Sequence, residues 1–162
     1  MVIIGIDPGS IRCGYAVIRL DRRDRLTYLD AGEITAPQTW PLAARLSEIG
    51  AGINDVLDDA IRAQRPREPF AAGIEAGYAA PGPSALVLGA ARGVAMYLIA
   101  DRLACKVLEY QPSTVKKSVA GSGRAPKEQV AEMARRILKM RTTPGSDCGD
   151  ALGVAICRAR DG

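Results

Sequence analysis

The sequence contains no histidine. That absence excludes Ser-His-Asp and Cys-His nucleophilic triads, histidine general bases and every zinc site that includes an imidazole. Any chemistry must then come from carboxylates, lysines, hydroxyls or thiols. Cysteines are few, at 13, 105, 148 and 157, and form no C-x-x-C pair. Without imidazole partners they read as small buried residues in a reducing compartment rather than as a metal or redox centre. The N-terminal run Met1-Val2-Ile3-Ile4-Gly5-Ile6-Asp7 lacks the basic segment and long apolar stretch of a signal peptide. The longest apolar stretch, Ala85 to Ala100, carries Arg92 and meets Asp101, so no bilayer span is expected and the expected location is cytoplasmic.

What is present fits an ordinary globular chain. The 162 residues, 48% apolar and 25% charged, suffice for one domain with a real core, expected to span 1–162. The net charge is +4, but it is uneven: Lys106 to Arg141 holds nine basic residues against three acids, a local +6, which leaves about −2 for the remainder. Such a basic segment suits a polyanion surface, although a solvated helix face gives a similar count.

The chain opens with three strand patterns: residues 2 to 7, Gly14 to Ile18, and Leu26 to Ile34, joined by the turns Pro8-Gly9-Ser10 and Asp21-Arg22-Arg23-Asp24. Short connections predict an antiparallel meander. From Pro41, apolar residues at 42, 46, 49, 53, 56, 57 and 61 follow helical spacing, and Pro66 and Pro69 end that helix near Gln64. Phe70 to Glu75 is a fourth strand, Ser84 is expected to cap a helix to about Leu103, and Lys106 to Glu109 makes a fifth strand. Helices follow over Pro112 to Val119, from Pro126, and from a Ser146 cap to about Ala159. This order predicts an α/β fold, a five-stranded mixed sheet flanked by helices.

Asp7 and Glu75 end two apolar strands, where sites form in open α/β sheets. Asp147 and Asp150, spaced i, i+3, share one face of a helix start, where acids also serve simply to compensate the helix dipole. If the first and fourth strands are neighbours, all four acids converge. Four clustered carboxylates need protons or cations. An all-oxygen donor set selects Mg²⁺, with Mn²⁺ as a substitute, over zinc. Two such ions about 3.5 to 4 Å apart can clamp a scissile phosphate, activating water on one side and stabilising the leaving oxygen on the other.

Five ordered blocks carry a more specific signal. They are Ile3-Ile4-Gly5-Ile6-Asp7-Pro8-Gly9-Ser10 with Gly14-Tyr15-Ala16-Val17; Ser84 to Gly93; Tyr110 to Lys116; Gly121 to Val130; and Asp147-Cys148-Gly149-Asp150-Ala151-Leu152. Together they resemble the RuvC family of Holliday-junction resolvases, over nearly the whole chain. The resemblance implies an RNase H-like fold on which Asp7, Glu75, Asp147 and Asp150 take the places of the family's catalytic, metal-binding acids. It implies a homodimer that binds a four-way DNA junction, nicks two strands symmetrically in recombination and repair, and works beside a branch-migration motor. Some members place a histidine where Asp147 stands. Lys116 and Lys127 match lysines near the family's active site, with Lys117 as an understudy and Arg124 in the same basic segment, all suited to phosphate contact. Tyr78 falls where the family has an aromatic that stacks on a base at the opened crossover.

The segment Ala76-Gly77-Tyr78-Ala79-Ala80 departs from the bulky residues usual after the family's glutamate, and the interval from Asp7 to Glu75 is longer than the family pattern, with the surplus placed in Arg62 to Pro69. Three other readings compete: an RNase H-like nuclease acting on other branched DNA or RNA, a catalytically silent junction binder, and the first phosphate loop of an actin-like kinase. The last needs a second lobe for which 162 residues leave no room. For dimerisation the expected surface is the helix from Ser84 to Leu103, through Ala85, Leu88, Ala91, Arg92, Ala95 and Tyr97.

Overall fold

The computed structural model describes residues 1–77 and 82–161, with Ser146 and Asp147 described by backbone alone. Strands β1 (Val2–Asp7), β2 (Arg12–Leu20) and β3 (Leu26–Thr35) form the expected meander. Helix α1 (Leu42–Ala63) crosses to β4 (Phe70–Glu75), α2 (Pro83–Leu103) crosses to β5 (Val107–Tyr110), and α3 (Pro112–Ala120), α4 (Lys127–Ile137) and α5 (Ser146–Arg160) complete the chain. The sheet order is β3-β2-β1-β4-β5, with β4 parallel to both β1 and β5. β1 is thus central, and its first five residues, Val2 to Ile6, are buried.

The strand period of two sorts the core onto two faces. Val2, Ile4, Ile6, Ala72 and Ile74 face α1 and α2, packing with Ile49, Ile53, Leu57, Ala95 and Ile99. Ile3, Ala16, Ile18 and Ala71 face α5 through Ala151, Leu152, Ala155 and Ile156. Buried from Ala151 to Cys157, α5 also carries α3 and α4 on its outer side. All four cysteines are free, Cys13 and Cys157 buried and the others half-buried, as small core residues should be. Burial pushes the Cys13 thiol up to about 12, so it stays protonated and unreactive.

Helix starts differ from the expected serine caps. α2 begins at Pro83, two residues before the start that a Ser84 cap implies, because proline presets the first helical turn and Gly82, at φ 150°, adopts a conformation that side chains resist. α5 likewise has Gly145 in the cap position, its carbonyl accepting the Gly149 N–H at 2.7 Å. α2 is also the one helix among the described residues long and apolar enough to cross a membrane by length and composition. Here it lies against α1 and β4, and Arg92 within it pairs with Glu109.

Candidate active site

Parallel pairing runs from Val2 beside Phe70 to Ile6 beside Ile74, and one residue further it leaves Asp7 level with Glu75. Alternation places both on the α5 face, in line with Ile3, Gly5, Ala71 and Gly73. Two glycines let α5 and the following turn come close enough to matter. A Cβ on Gly5 would meet the Ala151 carbonyl oxygen at 2.3 Å and the Ala155 nitrogen at 2.7 Å, so α5 rests on bare backbone. A Cβ on Gly9 would stand 2.1 Å from the Arg12 carbonyl oxygen, so the chain turns sharply after Asp7 only with glycine there. Helix α5 consequently delivers its N-terminal turn, with Asp150, to the ends of β1 and β4.

Lys127, at the first position of α4, closes the group: its Nζ donates to Asp150 Oδ2 at 2.6 Å. That hydrogen bond raises the Lys127 pKa, and the charges of Asp150, Asp7 and Glu75 raise it further. Glu75 is raised above the usual carboxylate range, mainly by burial and then by Asp150, while Lys127 and Lys116 draw it back down. The electrostatics therefore join Asp7, Glu75, Asp150, Lys127 and Lys116 into one centre. Lys117 and Arg124 stand exposed on the same segment without a side-chain contact to these acids. The Asp147 side chain and Tyr78 lie outside the described residues, although the Asp147 backbone is in the first turn of α5.

The basic segment proves to be divided. Arg135 and Arg136 are held by Glu132, each at 2.8 Å. Lys139 lines a cleft with Leu20 and Arg25, at the other end of the sheet. Of the segment's cations, Lys116 within α3 and Lys127 at the start of α4 are the ones whose charge acts on Glu75. Sequence reasoning missed Arg45, half-buried on α1, whose guanidinium donates to Ser10 Oγ at 3.1 Å in the turn after Asp7. Nothing in its helical spacing distinguishes it from a solvated arginine.

Among the described residues no three acids stand close enough to hold one metal ion between them. The donor set still fits a hard divalent cation: three carboxylates, no thiolate or imidazole among them, and an ammonium already countering their charge. An oxygen-lined, anionic centre flanked by lysines can hold a metal and accept a phosphodiester.

The sequence model of the family described as Crossover junction endodeoxyribonuclease RuvC matches residues 3–158. The chain belongs to the RuvC family. The crossover junction endodeoxyribonuclease RuvC of Anaeromyxobacter dehalogenans (strain 2CP-C) is 45% identical over 159 residues, 97% of this chain and 80% of the relative. That of Bradyrhizobium diazoefficiens is 40% identical over 158 residues, 97% of this chain and 85% of the relative. Among solved structures, Thermus thermophilus RuvC superposes with a TM-score of 0.79 at 29% identity, covering 97% of this chain and 92% of that one. The same protein in complex with a Holliday junction substrate gives 0.78 at 27%, with the same coverage. The mixed sheet described above is the RNase H-like fold of these RuvC resolvases.

Proposed function

We infer that this RuvC-family chain is a Holliday-junction endodeoxyribonuclease, and that Asp7, Glu75, Asp147 and Asp150 are its catalytic, metal-binding acids. The observation that carries the assignment is the meeting of Asp7, Glu75, Asp150 and Lys127 at the shared end of two parallel strands. The activity is dependent on a divalent cation, and the hard donor set selects Mg²⁺, two ions per subunit, with Mn²⁺ able to substitute. Bound at these carboxylates, the metal supplies Lewis acidity toward a phosphodiester.

The protein's own groups set up the rest. Lys127 neutralises part of the acid cluster, so a phosphate can approach a centre that would otherwise repel it. Lys116 favours the charged form of Glu75 against the cost of its burial. Lys117, exposed in the last turn of α3, and Arg124, exposed in the α3–α4 connection, give phosphate contacts that hold the strand in register. Tyr78, three residues past Glu75, stacks on a base at the opened crossover.

Symmetric nicking requires two such centres, and the proposed homodimer surface is the outer face of α2. Leu86 is 78% exposed and Tyr97 66% exposed there, with Gly89 and Gly93 between them on the same face. This revises the surface expected from sequence, since Ala91 and Ala95 are buried in the chain's own core. A branch-migration motor as partner and a cytoplasmic location complete the proposal.

The test is cleavage of a labelled four-way junction, a nicked duplex and a flap with Mg²⁺. Paired symmetric nicks in the junction alone are expected. Asp7→Asn should cut the rate on the order of 1000-fold or more while junction affinity stays nearly unchanged. Unaltered nicking by that variant would overturn the site. Equal cutting of flap and junction would favour a nuclease of broader branched substrates.

A further inference from the structure

The end of the sheet opposite the acids carries a second concentration of positive charge. The β2–β3 turn and the α1–β4 loop face each other across a cleft of about 730 Å³. Its walls include six arginines, at 19, 22, 23, 25, 65 and 67, against the acids Asp21 and Glu68. A neighbouring cleft of about 850 Å³ shares Asp21 and Arg25 and adds Lys139 and Arg160 against one further acid, Asp24.

Both acids of the first cleft are already paired. Asp21 Oδ1 accepts the backbone N–H groups of Arg23 at 2.8 Å and Arg25 at 3.0 Å, and Oδ2 accepts the Arg25 Nε at 2.8 Å. Glu68 accepts the Arg65 N–H at 3.0 Å, the Arg19 Nε at 3.0 Å and the N-terminal ammonium at 3.1 Å. Arg22, Arg23, Arg65 and Arg67 are left exposed, their guanidinium groups without an acid partner among the described residues. The loops are also fixed in shape: Asp24 at φ 56° and Arg67 at φ 63° hold left-handed conformations rare for side-chain-bearing residues, and Glu68 N–H closes a turn onto the Arg65 carbonyl at 3.0 Å. The four free guanidinium groups are thus carried on the two facing edges of the cleft.

We propose that this pole is a second DNA-binding surface, taking the phosphate backbone of a duplex other than the strand at the acid centre. Position sets this pole apart from the acid centre: β1 and β4 run their length, about 17 Å at 3.3 Å per residue, between Arg19 or Arg67 at one end and Asp7 or Glu75 at the other, so the pole is free to take a second duplex. Chemistry favours phosphate: guanidinium forks bind phosphate oxygens in pairs, and backbone recognition needs only spaced cations. An acidic protein partner would want an apolar anchor as well, and none of the exposed large apolar residues described, Trp40, Ile61, Leu86 and Tyr97, lines the cleft. The inference rests on the junction-nuclease reading only for its choice of DNA as the polyanion.

The experiment titrates a fluorescent 20-base-pair duplex into full-length protein already saturated with unlabelled junction, without divalent metal, and follows anisotropy. The wild-type protein should capture the duplex. The quadruple variant R22Q/R23Q/R65Q/R67Q should bind it at least about 10-fold more weakly, with the salt slope reduced by about 3 to 4, while nicking the junction within twofold of wild type. The charge-retaining R22K/R23K/R65K/R67K variant should recover most of the binding, which separates lost charge from lost folding. Undiminished capture by the glutamine variant would overturn the proposal. So would wild-type binding of a poly-glutamate peptide with no capture of duplex, which would assign the pole to an acidic protein. Failure of wild type to nick the junction would count against the catalytic reading alone, since duplex capture is read without cleavage.

Discussion

Lys127 reaches Asp150 across the gap between the starts of α4 and α5, and its charge is felt by Asp7 and Glu75 as well. Replacing it with methionine keeps the length of the stem and removes the charge. Single-turnover cleavage at saturating junction should then fall on the order of 100-fold, with a smaller loss of affinity, and Lys127→Arg should recover part of the rate. Equal rates for wild type and Lys127→Met would remove Lys127 from the centre. Asp7 and Glu75 were legible in the sequence because each terminates an apolar run, where a carboxylate has no packing role. The Lys127–Asp150 pair was not, because its partners are 23 residues apart and meet only after α4 folds back on α5. At the opposite pole, Glu68 predicts a pH effect. Burial works against its charged form, but the Arg65 N–H, Arg19 and the N-terminal ammonium outweigh it and hold the carboxyl down to about 2, against 4.5 ordinarily. Its contribution to stability is therefore complete above pH 4.5 and is lost as pH falls toward 2. Urea midpoints measured from pH 6 to 3 should drop across that window in wild type. The drop should be shallower in Glu68→Gln, which starts lower by about 2 kcal/mol.

At the scale of elements, the contact between β1 and α5 decides whether Asp150 arrives. Gly5→Ala would drive a methyl group into backbone atoms of α5, which cannot move aside as a side-chain tip can. The expected cost is about 3 kcal/mol, read as a lower urea midpoint with an unchanged slope. The folded fraction should cleave more slowly, because α5 must lift away from Asp7. Strands β1 and β4 and the end of α1 fell where apolar runs and prolines place them. β2 extends two residues beyond its apolar pattern at each end because Arg12, Cys13, Arg19 and Leu20 pair with β3. The starts of α2 and α5 were misplaced, by two residues and by one, because a serine close after a glycine suggests a side-chain cap, whereas the glycine takes that position. Nor does composition reveal that the basic segment divides, since Glu132 claims two of its arginines only through α-helical spacing.

For the whole molecule, the sequence foretold the mixed sheet and its flanking helices, but net charge concealed that the positive groups gather at both ends of the sheet. Leu86→Arg, on the outer face of α2, should yield a monomer in sedimentation and uncouple the paired nicks; a variant that stays dimeric would move the interface elsewhere. The β1–β4 pairing has a further consequence for folding. A slip of one residue between these parallel strands would exchange the two faces of the slipped strand, carrying its carboxylate under α1 and α2, away from α5. Such a chain could retain strands, helices and compactness, and even bind DNA, yet would fail to cut it. Specific activity per folded molecule is therefore a gauge of pairing fidelity, able to count mis-registered chains that circular dichroism would score as native.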